Sequence, residues 1–261
     1  MRNICTLLIL FASLNAFGQI STKSTEMSKH IDSLKKLSGK LNAELKLLKQ
    51  EIPGVIVSNV EGGNCTIRLY QPFGLNIQLR HTRPDFLPEN FLCVPGAYTS
   101  TTDQIDGLFI EDGIEINEIV NNKLTGACII SNDSIQFLEF QDINSELISR
   151  LISSKKSFFQ QSLLVKNKQI VPCTLFGHTG NTRRALIQFE DRYCIGESNR
   201  PIPISEFQES LVKIGAVNAI NLDMGSWSEG WYRNHSCEKI TIGVNKASTN
   251  RQSNWIIFTK Q

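Results

Sequence analysis

Apolar positions recur along this chain in two rhythms. Over residues 26–52 they come at alternating spacings of four and three: Met27, Ile31, Leu34, Leu41, Leu45, Leu48 and Ile52. Ser38 is the one polar break in that seam, and Lys, Glu and Asp fill the other faces. The rhythm is a heptad pattern and predicts an amphipathic helix, which Pro53-Gly54 ends. Such a seam either zips copies of the chain into a coiled coil, giving a homo-oligomer through residues 26–52, or packs the helix on its own domain.

From Val55 the rhythm shortens to β-like runs. VIVSNV at 55–60, CTIRLYQ at 65–71 and LNIQLR at 75–80 alternate or are β-branched, with turns at Gly62-Gly63 and from Pro72 to Gly74. FLCVPGAY at 91–98 is a buried strand running into a Pro-Gly break. DGLFIEDGIEI at 106–116 predicts a hairpin turning at Asp112-Gly113, with Asp112 a turn residue. ACIISNDSIQFLEF at 127–140 predicts another, turning near Asn132-Asp133. Asp142 to Ser154 reads as a helix with Leu147, Ile148, Leu151 and Ile152 on one face. SLLVKN at 162–167 and RALIQF at 184–189 are strands. A second helix is predicted to start at Ser205 as N-cap, with Gln208 completing a capping box and Gly215 closing it. Phe207, Leu211 and Ile214 then face inward. Strands at 217–222 and 254–259 follow. Many strands with a few helices make an α+β domain over residues 54–261, built on mixed or antiparallel sheets.

The first residues read as a secretion signal over 1–18. Arg2 is its basic start, Ile4 to Leu14 an apolar stretch too short to span a bilayer, and Ala16-Phe17-Gly18 a cleavage pattern. The alternative is an N-terminal core helix. No later stretch reaches about 18 consecutive apolar residues, so the expectation is an exported protein, periplasmic or secreted, with no transmembrane segment. Net charge is +2, and no Lys/Arg cluster is interleaved with aromatics, so no nucleic-acid partner is expected. After the signal come Cys65, Cys93, Cys128, Cys173, Cys194 and Cys237, none in CxxC spacing. A zinc or thioredoxin-like site is therefore not indicated. Cys93 and Cys128 sit inside apolar runs, as small hydrophobes do.

Candidate chemistry concentrates in Val217 to Arg233, VNAINLDMGSWSEGWYR. A buried strand ends in Asp223, and a turn with Gly225 and Ser226 follows. The strand would fix the acid, and glycine would let a ligand approach the backbone. Trp227, Trp231 and Tyr232 beside Glu229 and Arg233 suit a sugar, whose faces are apolar and whose rim is hydroxyl. The plainer alternative is that Asp223 caps a turn and the tryptophans are core.

The order of segments from Val55 to Lys260 resembles the phosphodiester glycosidase domain family. That family has a strand into an Asn-Gly-Gly-aromatic break, similar to Val94-Pro95-Gly96-Ala97-Tyr98. A "Gly-Leu-x-Ile-x-x-Gly" hairpin resembles Gly107 to Gly113, and a "Q-S-x-x-L-V" strand matches Gln161 to Val165. An "Arg-Thr-Ala" strand looks like Arg183-Arg184-Ala185, and "Asn-Leu-Asp-Gly-Gly-Gly-Ser" is similar to Asn221 to Ser226. Pro95 stands where the family has Asn, Arg184 where it has Thr, Met224 where it has the first Gly, and Trp227 where a small residue is usual.

The resemblance implies a hydrolase of sugar-1-phosphodiesters, with a carbohydrate or sugar-phosphate substrate. Arg183, with Arg184 or Arg233, would meet the phosphate through planar donors. Asp223 would stabilise the oxocarbenium-like centre or activate water. Tyr98, Trp227 and Trp231 would form a sugar platform beside Gly96, Gly225 and Ser226. Glu229 or His178 would serve as acid or base. No cofactor is implied; a divalent metal near Asp223 is an open option with no second ligand to name. Alternation on a strand sends Arg183 and Arg184 to opposite faces, so one of them is expected to be a surface charge. Glu229 and Arg233, four apart, can also be a local ion pair, and His178 a solvated loop residue. The other class of function open to this sequence is a non-catalytic glycan-binding or scaffold protein on the same fold.

Overall fold

Alternating and continuous apolar runs build three antiparallel sheets in the computed structural model, whose described residues are 30–41, 53–131, 134–173, 181–225, 228–243 and 251–260. The chain divides into two compact units, Met1–Leu48 and Lys49–Gln261. In the first, residues 30–41 are helical (α1) and every one of them is exposed, including Ile31, Leu34 and Leu41 of the heptad seam. The rest of the seam and the segment expected to be a signal lie outside the described residues.

In the second unit, a seven-stranded sheet runs β1 (Gly54–Glu61), β2 (Thr66–Phe73), β13 (Tyr193–Ser198), β12 (Arg184–Gln188), β14 (Asn218–Leu222), β10 (Leu163–Lys166) and β11 (Gln169–Ile170). A five-stranded sheet runs β16 (Lys239–Ile242), β15 (Gly230–Arg233), β4 (Asn90–Pro95), β17 (Trp255–Thr259) and β3 (Asn76–Arg80). Another runs β6 (Ile114–Asn117), β5 (Phe109–Glu111), β9 (Ser157–Gln161), β7 (Gly126–Ser131) and β8 (Ser134–Glu139). One apolar core, including Tyr70, Val94, Phe109, Leu163, Leu186, Leu222 and Ile256, joins residues of all three sheets. The other face of the seven-stranded sheet packs Ile67, Ala185, Ile187 and Ala219 against Phe207 and Leu211 of helix α3 (Ile204–Lys213). Helix α2 (Ser145–Ser153) covers the third sheet through Leu147 and Leu151. This is the broadly α+β architecture expected, with antiparallel pairing throughout the described ladders.

The hairpin at Asp112-Gly113 is present, with both residues at positive φ, as a two-residue turn of this kind requires. Gly215 closes α3 at φ 89°. The start of α3 differs from the expectation. Its N-cap is Pro203, whose side chain has no oxygen to accept a backbone N–H, and Ser205 lies inside the helix. Gln208 turns instead into the protein, where its Nε2 donates to the carbonyls of Leu164 and Val171. Helix α2 begins at Ser145, capped by Asn144, because Phe140–Asp142 makes a separate 3-10 turn.

Strand β13 is not visible in the sequence rhythm because Gly196 interrupts it. The gap is steric: a Cβ there would sit 2.4 Å from the Ile187 side chain. Among the described residues no helix is long and apolar enough to cross a membrane. The six cysteines among the described residues are free thiols, four of them buried, and burial pushes Cys194 up to about 11.

Candidate functional site

Strand β14 is buried along its whole length, and Asp223 is the next residue. Its backbone N–H donates to the Gly96 carbonyl at 2.9 Å, which ties the end of β14 to the break after β4. The carboxylate accepts from the Gly225 N–H at 3.0 Å on Oδ1 and from the Thr99 N–H at 3.1 Å on Oδ2. The side chain is nine-tenths or more buried, and burial raises its pKa above the ordinary carboxylate value. The two N–H groups, the charge of Arg184 and the Gln252 amide pull it partly back.

The break after β4 is held by Asn254, fully buried at the entry to β17. Its Oδ1 accepts from the Ala97 N–H at 2.7 Å and its Nδ2 donates to the Ala97 carbonyl at 2.9 Å. A Cβ on Gly96 would come within 2.7 Å of that Oδ1, so only glycine fits. Tyr98 follows, and its hydroxyl accepts from Asn221 Nδ2 at 2.8 Å. Burial pushes its phenol well up, and the Asp223 charge adds to this.

The two arginines lie on opposite sides of the sheet, as alternation requires, but neither is a surface charge: Arg183 is 6% exposed and Arg184 0%. The Arg183 Nε donates to the Ile202 carbonyl at 3.0 Å, and its charge feels Tyr98 and Cys173 while burial lowers its pKa. The Arg184 Nε donates to Glu197 Oε1 at 2.7 Å, and its Nη2 pairs with the same oxygen. Tyr70 donates to the other oxygen, Glu197 Oε2, at 3.1 Å. The Arg184 Nη1 and the Gln252 Oε1 are buried and make no hydrogen bond. Both residues act on the Asp223 carboxyl.

The remaining sequence candidates are placed elsewhere or lie outside the described residues. Trp231 is 2% exposed and packs with Cys93, Trp255 and Ile257, its ring edge-on to Phe86 at 4.9 Å. Its ring is core. Arg233 donates to the carbonyls of Asn90, Cys237 and Leu87 and lies over the Phe86 ring at 4.2 Å. Glu229 pairs with Arg83 at 2.8 Å, not with Arg233. Gly225 is exposed beside Asp223. His178, Ser226 and Trp227 lie outside the described residues. Among the described residues no three His, Cys, Asp or Glu side chains gather as metal ligands do.

The sequence did not point to Glu197, Thr99, Gln252 or Asn254.

The class these features define is a β-rich α+β fold of three antiparallel sheets with a buried carboxylate at the end of a central strand. No protein-family model matches the chain, and no curated protein matches it by sequence. Among solved structures it is similar to the catalytic domain of zebrafish N-acetylglucosamine-1-phosphodiester alpha-N-acetylglucosaminidase, auto-inhibited by its pro-peptide. The identity is 13% and the TM-score 0.52, over 80% of this chain and 83% of that one. It is also similar to a hypothetical protein from Synechocystis, at 10% identity and TM-score 0.50, over 78% of this chain and 62% of that one. At these identities the likeness is one of fold.

Proposed function

We propose that this chain is an exported hydrolase of sugar-1-phosphodiester bonds, with Asp223 as its key carboxylate and Arg183 meeting the phosphate. One observation carries the reading. Asp223 is a buried carboxyl with a raised pKa, fixed by two backbone N–H groups, and the residues acting on it bring a buried donor and a buried acceptor that make no hydrogen bond. Buried polar atoms are normally satisfied, so such a cluster marks a place for a polar ligand. The fold likeness to a glycosidase catalytic domain supports the same direction.

In this reading a water oxygen forms the new bond to the anomeric carbon. The bond from that carbon to the phosphate oxygen breaks, and its electron pair leaves on the phosphomonoester. Arginine meets the charge of that leaving group. The water proton passes to Asp223, whose burial makes it a better proton acceptor than an ordinary carboxylate, and then to solvent. Phosphate is a good leaving group, so a strong general acid matters less than in other glycosidases.

A second reading, sugar binding without turnover, is favoured by the depth of Asp223 and by the N–H already held on each of its oxygens. A panel of sugar-1-phosphodiesters separates the two. Release of sugar by the wild type and not by Asp223→Asn supports the hydrolase. Sugar affinity with no release from any member of the panel supports the binder.

A further inference from the structure

A cleft of about 380 Å³ opens between β1–β2 of the seven-stranded sheet and β15–β16 of the neighbouring sheet. Tyr70, Tyr232 and Glu197 line it, with Arg68, Asn59 and Thr241 among its walls. The two tyrosine rings meet at 5.5 Å, tilted by 48°. Strand alternation explains the choice of aromatic. Trp231 and Arg233 point to the covered face of β15, and Tyr232 between them points to the cleft face.

Glu197 is the buried charged group here. A carboxylate has about four acceptor positions. Arg184 Nε fills one on Oε1, against which Nη2 also lies as an ion pair, and Tyr70 fills one on Oε2. One acceptor position on Oε2 remains at the cleft. Arg68 and Asn59, which hydrogen-bond to each other at 3.4 Å, add donors and an acceptor at the wall. The volume lies at the lower end of the roughly 300–1,000 Å³ of small-ligand sites, which suits one ring.

We propose that this cleft binds a neutral pyranose. The half-buried Tyr232 ring offers an apolar face, and the groups around it offer hydroxyl partners of both kinds. An ion of either sign gains little from Glu197, because Arg184 already neutralises that carboxylate. The inference stands apart from hydrolysis at Asp223 and does not need it.

The test is titration of the full chain with methyl glycosides of glucose, galactose, mannose and N-acetylglucosamine. Binding is read by calorimetry and by amide shifts of Asn59 and Thr241. The expected result is saturable binding of at least one glycoside that shifts those amides, weakened about tenfold or more by Tyr232→Ala and by Arg68→Gln, and unchanged in Asp223→Asn. The amide shifts in the wild type decide the question even where Tyr232→Ala fails to fold. Absence of saturation by every glycoside overturns the proposal. So does binding that is lost in Asp223→Asn but kept in Arg68→Gln, since the sugar would then sit at Asp223. Because the readout is affinity, failure here leaves hydrolysis at Asp223 untouched, and failure of hydrolysis leaves this cleft untouched.

Discussion

The end of β14 and the outer face of β15 are built from the same residue types, and they use them differently. Around β15, Arg233 spends its guanidinium on three carbonyls and the Phe86 ring, Glu229 is paired with Arg83, and Trp231 is enclosed with Trp255. Around Asp223, burial is as deep but satisfaction is incomplete: Arg184 Nη1 and Gln252 Oε1 have no hydrogen bond. Arginine, carboxylate and tryptophan close together in sequence are therefore not a site in themselves. What separates the two regions is the kind of hydrogen-bonding capacity left over after folding: a charged guanidinium nitrogen and an amide oxygen around Asp223, and only the neutral indole Nε1 of Trp255 around β15.

The strongest way to break this contrast is Asp223→Asn. The isostere keeps one acceptor and the shape but cannot take a proton. Turnover on a cleaved sugar-1-phosphodiester is expected to fall roughly 10²–10⁴-fold in kcat, measured under saturating substrate. Trp231→Ala should act in the opposite register. Emptying that core position costs about 3–5 kcal/mol, read from denaturant unfolding, with kcat of the folded protein unchanged. Arg233→Gln should follow at about 1–3 kcal/mol, because buried carbonyls lose charged donors, again without a change in kcat.

The smallest effect is also the most particular. Burial raises the folded-state pKa of Asp223, so the ionised form weakens the fold. That cost is fully present above the folded pKa and is lost as pH falls through it to the ordinary carboxylate value of about 3.9. Wild-type Tm should thus rise relative to Asp223→Asn as pH falls through the folded pKa of Asp223, because the amide, which turns a nitrogen toward one of the two N–H donors, does not titrate. On the activity side, the acid limb of kcat/KM should lie above the ordinary carboxylate value, since catalysis needs Asp223 ionised.

Much of the fold was legible because its signals are local. Asp112-Gly113 announces its hairpin, and Gly215 announces the end of its helix. The start of α3 was misread because Ser205 and Gln208 have the right types and spacing for a cap, while Gln208 is needed to satisfy carbonyls of β10 and of the segment after β11. The site was legible only at Asp223 and its neighbours in sequence. Thr99 and Gln252 reach it from segments far apart in the chain, which no local rhythm records. Trp231 resembled a sugar platform because it stands beside Tyr232, Glu229 and Arg233, and residue types alone do not say which face Cys93 and Trp255 will cover.

The central claim is that the Asp223 end acts and the Trp231 face supports. Its most direct test is one experiment on two variants: turnover of the same sugar-1-phosphodiester, and Tm at neutral pH, for Asp223→Asn and Trp231→Ala. The account predicts a crossing, with Asp223→Asn losing turnover while it remains folded, and Trp231→Ala losing Tm while its folded fraction turns over normally. Turnover retained in Asp223→Asn, or lost in folded Trp231→Ala at unchanged Tm, would contradict it.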